Sequence, residues 1–241
     1  MQAFAATRVG RFIRARLTPE TALGLHLTLG LLALVLAAWA FAGIAEDVIG
    51  AEDITVLDLR LAQWLHAHAG GSLTRCMLAV SGVHGVIGML LLSALLGGYF
   101  FVKRAWYWLL ALALSVPGGM LLNVLLKSLF ARARPRFSDP ILTLSTYSFP
   151  SGHTAAATLF YGILAAYLLC RNRHWGARAA IVAGAALLVL LVGASRMLLG
   201  VHFLSDVLAA MAEGCAWLAV CITASSTWRR RRASTKRGET S

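Results

Sequence analysis

Long apolar runs separated by short polar stretches set the pattern of this chain. A helix crosses a bilayer with about 20 apolar residues, and six runs meet that length. They are Thr21–Ala45, Cys76–Val102, Ala105–Leu126, Gly152–Cys170, Ala179–Ser195 and Phe203–Trp228. The first two contain no Asp, Glu, Lys or Arg. The second is longer than a bilayer needs and is expected to tilt or to begin outside it. Pro117-Gly118-Gly119 is expected to kink the third. Asp206 and Glu213 alone interrupt the sixth. Residues 46–72 form a more polar stretch after the first run. Within it, Leu57–His66 reads as a short amphipathic helix at an outer membrane interface, with no legible role. The fold class expected is all-α: a polytopic membrane protein of six transmembrane helices.

Composition strengthens this reading. The chain is 59% hydrophobic and only 13% charged, whereas soluble domains carry about 25% charged residues. Mean hydropathy is +0.74. One membrane domain is expected over residues 1–241, with basic tails at 1–20 and 229–241. Arg8, Arg11, Arg14 and Arg16 resemble the charged start of a signal peptide. The run that follows is too long for one and is expected to be a retained span. The four cysteines show no ligand spacing and read as small apolar fillers.

The net charge of +12 does not point to nucleic acid, because the basic residues sit in short groups between spans. With six spans, 15 of the 22 basic residues fall on one side. The positive-inside rule makes that side, and both termini, cytoplasmic. Five of the ten acids lie in Glu46–Asp58, on the other side. Seven basic residues remain outside against the bias: Arg60, Arg75, Lys127, Arg132, Arg134, Arg136 and Arg196. An anionic ligand is the simplest reason for outer cations.

Three segments on that side carry chemistry. Lys127 and Arg134 close the third span seven residues apart, which two helical turns would bring to one side, and Pro135 then helps end the helix. Lysine offers a mobile point charge and arginine a planar fork suited to phosphate oxygens. Pro150-Ser151-Gly152-His153 opens the fourth span. A helix N-terminus presents free backbone N–H groups and a positive dipole end. Ser151 adds a hydroxyl, Gly152 permits close approach, and His153 can pass a proton to a leaving oxygen. In Ser195–Asp206, His202 and Asp206 are four apart, within reach of each other on a helix, with Arg196 nearby. A carboxylate beside an imidazole fixes its tautomer and raises its basicity. Each segment alone is compatible with a bland role: interfacial snorkelling, a capped helix start, an ordinary helix end. All three on one side fit metal-free displacement at phosphorus through a phosphohistidine.

Lys127-x6-Arg134-Pro135, then Pro150-Ser151-Gly152-His153, then Ser195-Arg196-x5-His202-x3-Asp206 resembles the three-part signature of the type 2 phosphatidate phosphatase superfamily. The resemblance implies catalytic roles for three residues: His202 as nucleophile, Asp206 to orient it, and His153 as general acid. It implies phosphoryl binding by Lys127, Arg134, Ser151, Gly152 and Arg196, with no metal and no cofactor. The implied partners are a membrane lipid phosphate and the bilayer, not nucleic acid. The expected activity is hydrolysis of a lipid phosphomonoester or diphosphate at the periplasmic face of the inner membrane. Undecaprenyl diphosphate is favoured, with phosphatidylglycerophosphate, phosphatidate or lipid A next. The alternatives are a lipid phosphotransferase using the same phosphohistidine and a non-catalytic lipid transporter or scaffold. The geometric expectation is that His153 and His202 flank one phosphate-sized gap lined by Lys127, Arg134 and Arg196.

Outside the signature, Arg132 and Arg136 are candidates for a second phosphate or a headgroup, balanced against a solvated outer face. Glu213 is read as structural, protonated and hydrogen-bonded to another helix, with support of the site from below as the alternative. His26 and His84 are expected to bond between helices. His66 and His68 read as exposed polar residues, and Asp139 as a loop residue.

Overall fold

A computed structural model describes residues 25–238, with side chains described over 27–229. The basic tail at 1–20, the start of the first apolar run, the His26 side chain, the side chains of 230–238 and residues 239–241 lie outside these limits. Among the described residues the chain is all-helical: α1 Leu25–Gly50, α2 Asp53–His68, α3 Gly71–Val83, α4 Val86–Val102, α5 Trp106–Phe130, α6 Gly152–Arg171, α7 Trp175–Leu198 and α8 Leu204–Gly238. Five are long and apolar enough to cross a membrane, and the bent pair α3–α4 supplies a sixth span if counted as one. Lipid offers no partner to an open backbone group, so helices that satisfy their own are the natural outcome of such runs. Large side chains on their outer faces, such as Leu121, Val124, Leu125 and Leu129 on α5 or Leu187 and Leu190 on α7, are exposed as a lipid-facing surface requires.

Pro117, in the third run, lies inside a continuous α5. The second run is the one that breaks: α3 and α4 meet at 54°. A β-carbon on Gly88 would stand 1.9 Å from the carbonyl oxygen of Val83, so this close turn needs glycine. His84 closes α3 by bonding through Nδ1 to Val80 O at 2.8 Å, and its Nε2 meets Tyr161 Oη on α6 at 2.8 Å. The inter-helix bond expected of His84 is therefore present.

The helices pack around α6 and α8. α6 touches α5, α7 and α8, while α8 lies along α1 and α5. A core of Met89, Phe100, Leu112, Phe160, Ile163 and Tyr167 joins α4, α5 and α6. A second, smaller core pins the long connection 131–151 to α1. There Phe149 is fully buried, with its ring 5.8 Å from Phe41 and 4.9 Å from Phe130. α2 packs on α1, α7 and α8, and buries Asp58 and Ala62 one helical turn apart. This topology collects the C-terminal end of α5, the N-terminal end of α6, the C-terminal end of α7 and the N-terminal end of α8 at one end of the bundle.

Candidate active site

α5 ends earlier than its sequence suggests. Ala131 adopts a left-handed conformation (φ 45°) and its N–H returns to Lys127 O at 3.0 Å. Lys127 therefore sits in the last helical turn, but Arg134 does not continue the helix. The expectation of two residues on one helical face is corrected: Arg134 lies in extended chain. It is held there because the segment folds back on itself. Arg134 Nε donates to Thr146 O at 2.7 Å, and Nη2 donates to Thr146 Oγ1 at 2.8 Å and Tyr147 O at 2.9 Å. Its Nη1 donates to Val201 O at 2.6 Å and lies 3.2 Å from His202 Nε2. Burial lowers the Arg134 pKa, and the Asp206 charge works in the opposite direction. Lys127 Nζ donates to Tyr147 O at 3.0 Å and Ser148 O at 3.2 Å. An ammonium has three N–H bonds, so one remains for a ligand.

Ser151 caps α6, and the amide groups of Gly152 and His153 open its first turn, where no intrahelical acceptor exists. A β-carbon on Gly152 would stand 3.2 Å from Asn123 Oδ1 and 3.8 Å from Lys127 Cε, so glycine keeps this helix end open to the lysine. Ser151 itself is fully buried. Its hydroxyl accepts a bond from Thr154 Oγ1 at 3.0 Å and its N–H donates to Asp206 O at 3.0 Å. It lies behind the wall rather than along it.

Arg196 ends α7 and is almost entirely buried. Its Nη1 donates to Ser81 Oγ on α3, while its Nε has no partner. A buried unpaired donor on a cation is costly, so its place beside the cavity suits an anionic ligand. His202 lies in the short turn between α7 and α8, not on a helix. Asp206 follows in the first turn of α8. The pair still meets: His202 Nδ1 is 3.3 Å from Asp206 Oδ2, which also accepts the N–H of Phe203 at 2.8 Å. That second bond is a helix-capping contact, in which a carboxylate in the first turn reaches back to the residue before it. For Nε2 to accept from Arg134, the ring proton must be on Nδ1, donated to Asp206. The surroundings therefore specify one neutral tautomer of His202, with its free electron pair on Nε2.

Burial pushes His202 down to about 4, although the hydrogen bond and charge of Asp206 work against it. Desolvation outweighs the carboxylate, contrary to the rise in basicity that the His–Asp spacing suggests. The unfolded chain binds a proton near pH 6.5 and the folded chain only near 4. Apparent thermal stability in detergent is therefore expected to fall as pH drops from 6.5 to 4. A His202→Gln protein should lose less across that window; an equal loss in both proteins would exclude His202 as the source.

Lys127, Arg134, Gly152, His153, Arg196 and His202 all line one cavity of about 770 Å³. The two histidines and three cations of the signature thus converge at one end of the bundle. The imidazole of His153 fits against the bend of α3–α4, its Nε2 3.8 Å from where a β-carbon on Gly85 would stand. Away from these groups the same cavity runs between α4 and α5 along Met89, Leu90, Ala94, Leu109, Ala113 and Val116. It is a polar head joined to an apolar groove.

The family follows from sequence and fold together. The model of the PAP2 superfamily matches residues 104–230, more than half of the chain. This chain belongs to the PAP2 superfamily. Over 121 residues it is 39% identical to phosphatidylglycerophosphatase B of Bacillus subtilis, an alignment covering 48% of this chain and 57% of that protein. The matched region thus spans little more than half the length of that relative. The fold resembles the crystal structure of a transmembrane PAP2-type phosphatidylglycerolphosphate phosphatase from Bacillus subtilis. The TM-score is 0.70 at 28% identity, covering 78% of this chain and 94% of that one. The fold also resembles Aquifex aeolicus LpxE, with a TM-score of 0.55 at 22% identity over 69% of this chain and 94% of that one.

This PAP2 chain also holds groups that the sequence reading missed or misplaced. Arg132 is mostly buried, and its guanidinium is taken up by protein partners. Its Nη1 donates to Asp206 Oδ1 and Ser205 Oγ, both at 2.7 Å, and its Nη2 to Asp58 Oδ2 at 2.9 Å. Its guanidinium also covers the Phe203 ring at 4.5 Å. Removing one partner from such a buried ion network costs about 3–5 kcal/mol. Arg136 is exposed on the rim of a second, polar hollow of about 520 Å³, which shares the Arg134–Thr146 wall with the first. His66 is only partly exposed: it stacks on Phe137 at 4.0 Å and bonds Asp139 Oδ1 at 3.0 Å, which holds the Asp139 carboxyl below its usual range. Glu213 accepts from Asn123 Nδ2 at 2.8 Å, the inter-helix bond expected of it. Asp58, Ser81 and Asn123 gave no motif signal. A lone acid between leucines on an amphipathic helix was the one hint of Asp58.

Proposed function

We propose that this chain is a membrane lipid phosphatase, removing phosphate from a lipid phosphomonoester or diphosphate through a phosphohistidine on His202. The observation that carries this reading is the continuous cavity, cationic at one end and apolar between α4 and α5 along the rest. A phosphate head fits the first part and an acyl or prenyl chain the second, entering sideways from the bilayer. The name of the Bacillus subtilis relative and that of the similar crystal structure from the same organism, each a phosphatidylglycerophosphate phosphatase, support the same class and move that lipid ahead of undecaprenyl diphosphate as the first substrate to test.

The chemistry follows from the groups present. Arg134 Nη1 turns from His202 Nε2 to a phosphoryl oxygen, which frees the electron pair for attack on phosphorus. Lys127, Arg196 Nε and the amides of Gly152 and His153 take the remaining equatorial oxygens. Charge spreads onto those oxygens in the transition state, so preorganised donors stabilise it more than the bound ester. His153 gives a proton to the departing oxygen as the bond to phosphorus breaks. The positive charge that develops on the phosphorylated ring is offset by Asp206. Water, deprotonated by His153, then attacks phosphorus, and His202 leaves with its electron pair restored. No step calls for a metal. The reading sets this end of the bundle on the outer, periplasmic face of the inner membrane. Its support is the charge asymmetry: Lys103, Arg104, Arg171, Arg173 and Arg178 lie in or beside the α4–α5 and α6–α7 connections, at the opposite end.

The test is phosphate release by the purified protein in detergent with a chelator present. Phosphatidylglycerophosphate, phosphatidate, undecaprenyl diphosphate, lipid A phosphates and glycerol phosphate would be compared. The best lipid should exceed the soluble ester in kcat/KM by at least about tenfold, because chain binding in the groove contributes to orientation. An absolute need for added divalent metal would sink the phosphohistidine. Equal rates on glycerol phosphate would sink the lipid assignment. Phosphate appearing on a second lipid without free phosphate would make the protein a transferase.

A further inference from the structure

We infer that Asp58, on α2, is a positioning residue for the catalytic end: through Arg132 and Ser205 it fixes the carboxylate of Asp206 and hence the tautomer of His202. This rests on the phosphohistidine reading above and deepens it. Asp58 lies outside the region matched to the family model, on a helix with no motif of its own.

The side chain of Asp58 is fully buried, and a buried carboxylate persists only where charge and hydrogen bonds compensate it. Its Oδ1 accepts the N–H of Ser205 at 3.0 Å. Its Oδ2 accepts the Arg132 Nη2–H at 2.9 Å and the hydroxyl of Ser205. Ser205 Oγ in turn accepts Arg132 Nη1 at 2.7 Å, the same nitrogen that donates to Asp206 Oδ1 at 2.7 Å. A single guanidinium thus joins the carboxylates of Asp58 and Asp206. Only the other oxygen of Asp206 faces His202.

Two consequences follow. First, Asp58 caps α8 from another helix. The Ser205 N–H is one of the orphan donors of a helix N-terminus, and Asp58 satisfies it while adding negative charge at the positive end. The turn that carries Asp206 is thereby immobilised from both sides, by Asp58 at Ser205 and by the Asp206 bond to Phe203. Second, Asp58 shares the charge of Arg132. Without that share, Arg132 leans on Asp206 alone and weakens its hold on the His202 Nδ1–H. The Nε2–H tautomer then competes, and it has no electron pair directed at phosphorus. Asp58 touches no reacting atom, so its effect reaches His202 only through this chain of contacts.

Asp58→Asn keeps the shape and removes the charge. It should lower kcat by about 10²-fold, as misplacement of a catalytic group does. KM should stay within about threefold, because the phosphate-binding groups are untouched. The double change Asp58→Asn with Arg132→Gln should be no slower than the worse single change, since both act through one network. A readout independent of turnover comes from ¹⁵N-histidine spectra in detergent. The protein has seven histidines, and the His202 signals are identified by their loss in His202→Gln. Wild type should show the Nδ1–H form, and Asp58→Asn a mixture. If Asp58→Asn does not fold, Ser205→Ala, which removes only the hydroxyl bridge, should show the same change of tautomer in smaller degree. A folded Asp58→Asn with unchanged kcat overturns the inference. So does an unchanged His202 spectrum in the folded variant. If wild type hydrolyses no lipid phosphate, the proposed function falls, and the spectra alone decide the role of Asp58.

Discussion

His202→Ala is expected to lower lipid phosphate hydrolysis by about 10⁴–10⁶-fold, the loss seen when the nucleophile of a covalent mechanism is deleted. The size follows from what remains. Lys127, Arg134 and Arg196 would still bind the phosphate, so KM should change little. With the His202 imidazole gone, phosphorus has no nucleophile except water on the side opposite the leaving group, and His153, on the leaving-group side, is not placed to activate water there. The loss should therefore lie in kcat. A second measurement separates mechanism from misfolding. Wild type given labelled substrate and quenched in alkali should carry label on histidine, and His202→Ala should carry none while keeping its apparent melting temperature. Residual turnover above about 1% of wild type in a folded variant would contradict covalent catalysis by this residue.

His153→Ala tests the other half of the cavity, and its expected effect depends on the leaving group. General acid catalysis contributes about 10²–10⁴-fold where the departing oxygen needs a proton. A monoester such as phosphatidylglycerophosphate or phosphatidate releases an alkoxide, so the full loss is expected. A lipid diphosphate releases a phosphate, whose own proton affinity is far lower, with a second pKa near about 6. The loss there should be smaller, and similarly small for 4-nitrophenyl phosphate, whose leaving group also binds a proton far more weakly than an alkoxide. The measurement is kcat/KM for the three leaving groups in wild type and His153→Ala. Equal losses on all three would remove His153 from the role of acid and leave it as a binding group. Because the ring sits where Gly85 leaves room, a bulky change at Gly85 should imitate part of this effect.

Much of this cavity is legible in the sequence. Spacing and sidedness single out Lys127, Arg134, Gly152, His153, Arg196 and His202, and all line one cavity. Their legibility has a physical reason. A charge at the end of an apolar span is costly enough to need a purpose, and alternating spans fix which ends share a side. Local conformation is less legible. Spacing puts Lys127 and Arg134 on one helical face, yet α5 stops at Phe130. Arg134 is held instead by Thr146 and Tyr147, twelve and thirteen residues on. The alternating Arg-x-Arg-x-Arg run suggests a headgroup or solvent role for Arg132. Its partners, Asp58 and Asp206, are each 74 residues away, in opposite directions. No local pattern encodes such a pairing.

The all-helical membrane class, the approximate spans and the set of groups suited to phosphate are written along the chain. They depend on hydropathy, spacing and charge, which are properties of the chain before it folds. Tertiary packing sets how those groups are aimed. It bent the second span at Gly85–Gly88 to shape a groove, and pulled Arg134 out of its helix onto His202. It also brought Asp58 from an unassigned helix to the Asp206 carboxylate behind His202. Each of these arises where buried polar groups from distant segments must satisfy one another, and that requirement exists only once the helices pack.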